Sequence, residues 1–421
     1  MKLQATDTLR ELVSIPSVNP MGRAVDGDIF FEHRVTDYLQ QQFERMGLRF
    51  ARQFVAPSRE NIVARLDATE APDQAPIMLW EVHQDTVPVD GMTIEPFHPQ
   101  ATSERISGRG ACDVKGSMAA MLAALSELVK VSRRPVNIVI ACTVNEEYGY
   151  SGARKLVELW EPNAPQVNEF TNLLDRKPDV AIIAEPTEMN VVVAHKGAIR
   201  WRITTHGKAC HSSNPGSGRN AIYLMGPVLE ALESYHADIQ QTGRNHPFCG
   251  RPTTSVGLIS GGVSVNTVPD QCVIEVDRRV TPGETPVEAR DEVIAYVDDF
   301  LRRKSENDQV SQHAPILLDG GLSHAKPHLI GWPLENVGNE NLAEFVRSHA
   351  ATVHGESQIM GVSFGTDGAV IGATGVPSVV FGPGSISQAH TCDEWISVAQ
   401  LNDAVKIYLR LANSFEMSRS A

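Results

Sequence analysis

The chain has 421 residues, of which 42% are hydrophobic and 21% charged, with a formal net charge of −14 at pH 7. That length exceeds what one hydrophobic core organises, so two domains are expected. The acidic balance argues against nucleic acid or an anionic membrane surface as a partner, and no apolar stretch is long enough to cross a bilayer.

The chain opens on MKLQATDTLRELVSIPSVNP, which lacks the apolar core of a signal peptide. Six cysteines (112, 142, 210, 249, 272 and 392) include no Cys-x-x-Cys pair, a spacing that suits reduced thiols in a cytoplasmic protein. Residues 6–12 and 30–46 carry the periodicity of amphipathic helices. Apolar runs follow at 61–66, 77–82, 136–144 and 180–184, with an Ala-, Leu- and Met-rich helix at 117–131 between the second and third. Apolar strands alternating with helices predict an α/β layer fold with a largely parallel sheet. A further buried strand at 377–381 and a helix at 398–415 close the chain. The middle reads differently: strand 197–206, helix 220–235, strands 253–259 and 271–279, helix 286–304 and a strand at 310–318. The order β-α-β-β-α-β is that of a ferredoxin-like module, inserted over 193–318 into a larger domain made of 1–192 and 319–421.

Four apolar strands end in side chains that can bind metal. The first ends in His83 and Asp85, the second in Asn145-Glu146-Glu147, the third in Glu185-Pro186-Thr187, and the last runs through Gly382-Pro383-Gly384 to His390. Each alone is an ordinary turn or surface loop. Together they matter, because ligands of open α/β sheets gather at the carboxyl ends of the strands. A Gly-rich turn, Gly108 to Gly116, can direct Asp113 back over those ends. Imidazoles with carboxylates suit zinc or another divalent transition metal better than calcium or magnesium, and a bridging carboxylate would give a two-metal hydrolytic site with ions roughly 3.5–4 Å apart. In the adjacent pair Glu146-Glu147 one acid can bind metal while the other acts as general base.

These segments resemble the zinc-dependent amidohydrolases and peptidases that include acetylornithine deacetylase, succinyl-diaminopimelate desuccinylase, aminoacylase and glutamate carboxypeptidase. The carriers are HQDTVP at 83–88, GRGACDVKG at 108–116, NEEYG at 145–149, EPT at 185–187, GKACHSSNPGSGRNAI at 207–222, VNTVPD at 265–270 and GPGSISQAHTCDEW at 382–395. EPTEMNVVVAHKG followed by GPGSISQAH is most similar to the acetylornithine deacetylase branch. The sequence departs from the common pattern at Val82 and Ala184, where glycine is usual, and at Asn145, where aspartate is usual.

The resemblance implies a dizinc exopeptidase-like catalytic domain with the inserted module as lid and dimerisation domain. It implies that His83 and Glu185 bind one Zn2+, that Glu147 and His390 bind the other (Co2+ or Mn2+ being substitutes), and that Asp113 bridges them with a cis peptide after it. Asp85 would orient His83, Glu146 would be the general base for a metal-activated water, and His211 would stabilise the oxyanion, in its own subunit or the partner of a homodimer. Asn266, Arg279 and Thr366 would contact substrate, with Asp367 beside them. On the residues alone Arg278 serves as well as Arg279 for a carboxylate; the family spacing selects Arg279. The expected reaction is cleavage of the amide of an N-acyl amino acid. The alternatives are a metallo-exopeptidase acting on short peptides and a metal-binding dimer without catalysis. A serine or cysteine hydrolase built on Ser212 or Cys112 lacks a nucleophile elbow.

Overall fold

The computed structural model describes residues 2–160, 170, 173–174, 176–307 and 313–415. The chain divides into two compact units, one of Met1–Ala194, Leu334–Gly361 and Thr366–Ala421, the other of His195–Pro333 and Val362–Gly365. Among the described residues, no helix is long and apolar enough to cross a membrane.

In the first unit the described strands form one sheet in the spatial order Arg49–Ala56, Arg59–Leu66, Asn137–Thr143, Ile77–His83, Val180–Ile183, Ser378–Val380, Val191–His195, Ile359–Val362. The four central strands, Asn137–Thr143 through Ser378–Val380, run parallel. Their carboxyl ends therefore share one edge, which gathers the segments after residues 83, 143, 183 and 380. The flanks are antiparallel: Arg59–Leu66 pairs that way with both neighbours, and Val191–His195 with Ser378–Val380. Every residue of Ile77–His83 and Asn137–Thr143 is buried, as expected of strands covered on both faces. Helices Ala5–Val13 and Val398–Ser414 pack on Lys115–Leu128, which is buried nearly all round. Trp80 meets Tyr408 at a centroid distance of 5.1 Å, and Tyr408 meets Phe381 at 6.1 Å. The helix expected from residue 30 begins at His33, because Phe31 has a left-handed backbone (φ 65°) that interrupts the turn before it. After the Asn137–Thr143 strand the chain folds back on itself so closely that a Cβ on Gly152 would lie 2.3 Å from the Val144 carbonyl oxygen. Only glycine permits that approach.

The second unit carries an antiparallel sheet in the order Thr253–Gly261, Gln271–Val280, Gly197–His206, Leu322–His324, with Leu329–Gly331 also paired to Gly197–His206. Helices Ala221–Thr242 and Pro286–Asn307 pack on it around Trp201, Ile203, Leu224, Tyr235, Val276, Val293 and Val297. Asn220 caps the first of these by accepting from the Ile222 N–H at 2.9 Å. The connectivity is β-α-β-β-α-β, but the last strand differs from expectation. Of the span 310–318, residues 310–312 lie outside the described residues and His313–Ile316 is helical. Pro315 cannot donate to a strand ladder and is tolerated in a first helical turn. The sheet's fourth place goes to Leu322–His324, and the unit runs to Pro333 rather than ending at 318.

Candidate metal centre

His83 closes its strand, Glu146 and Glu147 follow Asn137–Thr143, Glu185 follows Val180–Ile183, and His390 follows Ser378–Val380. The turn before Lys115–Leu128 brings Asp113 over this edge, with a cis peptide between Asp113 and Val114. The two Asp113 oxygens face opposite ways: Oδ1 lies 3.0 Å from His83 Nε2, and Oδ2 lies 3.2 Å from His390 Nε2. Glu185 Oε1 is 3.9 Å from His83 Nε2, and Glu147 Oε2 is 3.2 Å from His390 Nε2. Two groups result, His83–Asp113–Glu185 and Asp113–Glu147–His390. Within each, the ligand-capable atoms lie within 4.8 Å of one another. Asn145 and His390 both hold left-handed backbones (φ 61° and 62°), uncommon outside glycine and found where a site fixes a side chain.

The charges within this cluster are unbalanced. Burial first, then the charge of Asp113, raises Glu185 well above the carboxylate range and Glu147 to about 6. Burial and the charge of Glu185 raise Glu146 likewise. Asp113 is buried too, yet hydrogen bonds with His390 and His83 hold it below its usual range. Burial disfavours charge on the imidazoles, but Asp113 raises His83 well above 6.5, and Asp113 with Glu147 raises His390 to about 11. The two imidazoles thus stand among carboxylates that favour positive charge, positions that would equally favour a divalent cation. Among the described residues, Glu147 Oε1 is buried with no hydrogen-bond partner, an oxygen whose lone pairs a cation would satisfy. The donor set, two imidazoles and three carboxylates, fits zinc-like ions.

Asp85 meets His83 more closely through its main chain than through its carboxylate. His83 Nδ1 makes its hydrogen bond to the Asp85 main-chain carbonyl at 2.9 Å, while the carboxylate Oδ1 stands 3.7 Å away. The carboxylate is occupied elsewhere, accepting the N–H of Glu146 on Oδ1 at 3.1 Å, and those of Glu147 and the Asn19 amide on Oδ2 at 3.2 and 2.8 Å. Residues i and i+2 share a face, but chain direction after the strand turns this side chain toward the next loop. Thr366 is buried, its Oγ1 accepting the Gly368 N–H at 3.1 Å.

In the second unit, His211 and Asn266 come together. Cys210–His211 pairs with Thr267–Val268, and Ser212 N–H donates to the Asn266 carbonyl at 3.0 Å. His211 is exposed, with Nδ1 2.7 Å from Ser213 Oγ. Arg278 and Arg279 are distinguished by burial. Arg278 is 1% exposed and committed to Glu284 at 2.7 Å and the Tyr235 hydroxyl at 3.2 Å. Arg279 is partly exposed and held by Asp277 at 2.9 Å. It lies eight residues beyond Gln271 on the same strand, about 26 Å at ~3.3 Å per residue.

Three buried polar groups around the centre have no counterpart in the sequence reading. Glu394 accepts four hydrogen bonds from the turn that carries Asp113. Asn19 links Asp85 to Asn145, donating to the Asn145 Oδ1 at 2.9 Å. Glu81 sits beside Thr143, whose hydroxyl lies 2.6 Å from Glu81 Oε1 and 2.9 Å from Asp367 Oδ2. Burial and the charge of Asp367 raise Glu81 well above its usual range, and burial raises Asp367 to about 6. Of the three, only Glu81 had a signal, an acid within an apolar run.

Known proteins resemble this chain in sequence and in fold. The sequence pattern of "Peptidase family M20/M25/M40" matches residues 79–414. Acetylornithine deacetylase of Yersinia pestis is 28% identical over 412 residues, covering 96% of each chain. A probable carboxypeptidase of Emericella nidulans is 31% identical, covering 96% of this chain and 87% of that one. The crystal structure of an M20 family metallo-carboxypeptidase from Sulfolobus solfataricus superposes with a TM-score of 0.73 at 18% identity, over 97% of this chain and 98% of that one. The chain belongs to peptidase family M20/M25/M40 and is a hydrolase of amide or peptide bonds.

Proposed function

We propose that the chain removes the acyl group from N-acyl amino acids, using two divalent metal ions held on either side of Asp113. The observation that carries this reading is the division of Asp113 between two histidines, one at each oxygen. His83 and Glu185 would hold one ion, Glu147 and His390 the other. When bound, such a pair, zinc or in its place cobalt or manganese, would supply Lewis acidity to the scissile carbonyl and to a water. Glu146 would be the base that takes a proton from the attacking water and returns it to the departing amine. Arg279 receives the substrate carboxylate through its guanidinium, and Asn266 and Thr366 contribute further contacts. His211 donates to the oxygen on which charge develops.

The protein acts as a homodimer on this reading. A single acyl amino acid is too short to touch both ends of the Gln271–Val280 strand, where His211 with Asn266 lie at one end and Arg279 at the other. This supports two chains sharing one substrate, with the second unit as lid and dimerisation domain.

The deacylase preference follows the deacetylase relatives. A metallo-exopeptidase is the second reading, favoured by the carboxypeptidase relative at 31% identity. Turnover of N-acetylornithine, other N-acyl amino acids and dipeptides by zinc-, cobalt- and manganese-loaded protein separates them. Faster cleavage of acyl amino acids supports the deacylase, and equal or faster cleavage of dipeptides contradicts it.

A further inference from the structure

We propose that Glu394 is the positioning residue for Asp113, and through it sets both candidate metal sites at once; the proposal rests on the two-metal reading above. Glu394 is fully buried. Its Oε1 accepts the N–H groups of Cys112 and Asp113 at 2.8 and 3.0 Å. Its Oε2 accepts the Gly110 N–H at 3.0 Å and Arg109 Nη1 at 2.7 Å. The turn is shaped to receive an anion: Gly108 and Gly110 have φ of 149° and 82°, and their backbone lets successive N–H groups converge on one concavity. A side-chain carboxylate fills it.

The carboxylate's place in the chain gives this its functional meaning. Glu394 stands four residues after His390, so one short segment supplies both the imidazole that meets Asp113 Oδ2 and the anchor of the Asp113 main chain. The two segments are stapled again by the Gly108 N–H to the Glu394 carbonyl at 2.9 Å and by Arg109 Nη2 to the Thr391 carbonyl at 3.3 Å. Asp113 belongs to both ligand groups. A displacement of its Cα changes both groups together, whereas loss of any other ligand changes one.

The substitution Glu394→Gln tests the carboxylate while nearly preserving volume. In either orientation the new amide points an N–H group at donors, at Cys112 and Asp113 or at Gly110 and Arg109. Zinc is titrated into the metal-free full chain against a chromogenic chelator, and thermal unfolding is followed in EDTA, where metal cannot contribute. The expected result is a loss of affinity on the order of 10–100-fold at both sites, with a cooperative metal-free melt retained. Glu394→Asp, which keeps the charge but withdraws the oxygens by about 1.5 Å, should fall between wild type and Glu394→Gln. Unchanged zinc affinity at either site in folded Glu394→Gln overturns the proposal. So does a lowered metal-free melt with zinc affinity intact, which would mark a purely structural residue. If Glu394→Gln does not fold, wild-type zinc affinity in Glu394→Asp overturns it equally. Wild-type protein that takes up fewer than two zinc ions refutes the two-metal reading itself, a failure recognisable before any variant is measured.

Discussion

The Asp85 carboxylate accepts the main-chain N–H of Glu146 at 3.1 Å, and its second oxygen accepts that of Glu147 at 3.2 Å. The hydrogen bond of His83 Nδ1 goes to the Asp85 carbonyl, which any substitution retains. Asp85→Ala should therefore lower kcat by about 10–100-fold through a loosened base, less than the roughly 10²–10⁴-fold expected for loss of the base itself, while leaving two metal ions bound. Loss of one metal ion with little change in kcat of the fully loaded enzyme would return Asp85 to a role at His83. Elemental analysis beside steady-state kinetics reads both.

Glu146 itself is expected to be dispensable for metal and necessary for turnover. Glu146→Ala should lose about 10²–10⁴-fold in kcat with unchanged metal content. Full activity in that variant would remove Glu146 from the proton transfer.

Metal uptake should release protons. In the metal-free protein, His83 lies well above 6.5 and His390 at about 11, so both imidazoles carry a proton at pH 7. A cation must displace those protons, so apparent affinity rises with pH between 6 and 8. Calorimetric titration of zinc in buffers of different ionisation enthalpy measures the number released. Chelation should abolish activity and zinc or cobalt should restore it, whereas zinc binding without proton release contradicts the assignment of these histidines.

The neighbouring arginines should separate by phenotype. Arg278→Ala removes a buried guanidinium from the partly exposed Glu284 and from Tyr235, and should destabilise the protein by about 1–3 kcal/mol. Arg279→Ala leaves stability nearly unchanged and should raise KM for carboxylate-bearing substrates at least tenfold. Thermal melts and kinetics of both variants decide; a raised KM confined to Arg278→Ala would reverse the assignment.

Much of this centre is legible in the sequence because its ligands are local events: each ends an apolar strand, and parallel strands place their ends on one edge. The edge strand Arg49–Ala56 escapes that reading because it mixes charged and exposed positions with buried ones, and Ile359–Val362 because it is only four residues long, contains Gly361 and buries none of them fully. The supporting network escapes it for another reason. Asn19 and Asp85 are 66 residues apart, and Cys112 and Glu394 are 282 apart, so no periodicity links them. The side chain of Asp85 shares a face with His83 in extended backbone, but its hydrogen bonds depend on a loop 61 residues away. Pro315 carried a signal that the apolar pattern around it outweighed; lacking an N–H, it belongs to a helical turn.

Metal content of wild type and Asp113→Ala, measured by elemental analysis after zinc reconstitution and desalting, decides whether one carboxylate serves two ions. Two zinc ions per chain are expected in the wild type, and loss of tight binding at both positions in the variant. Asp113→Ala protein that retains either ion with wild-type affinity, or wild-type protein that holds a single ion, would contradict the bridging role of Asp113.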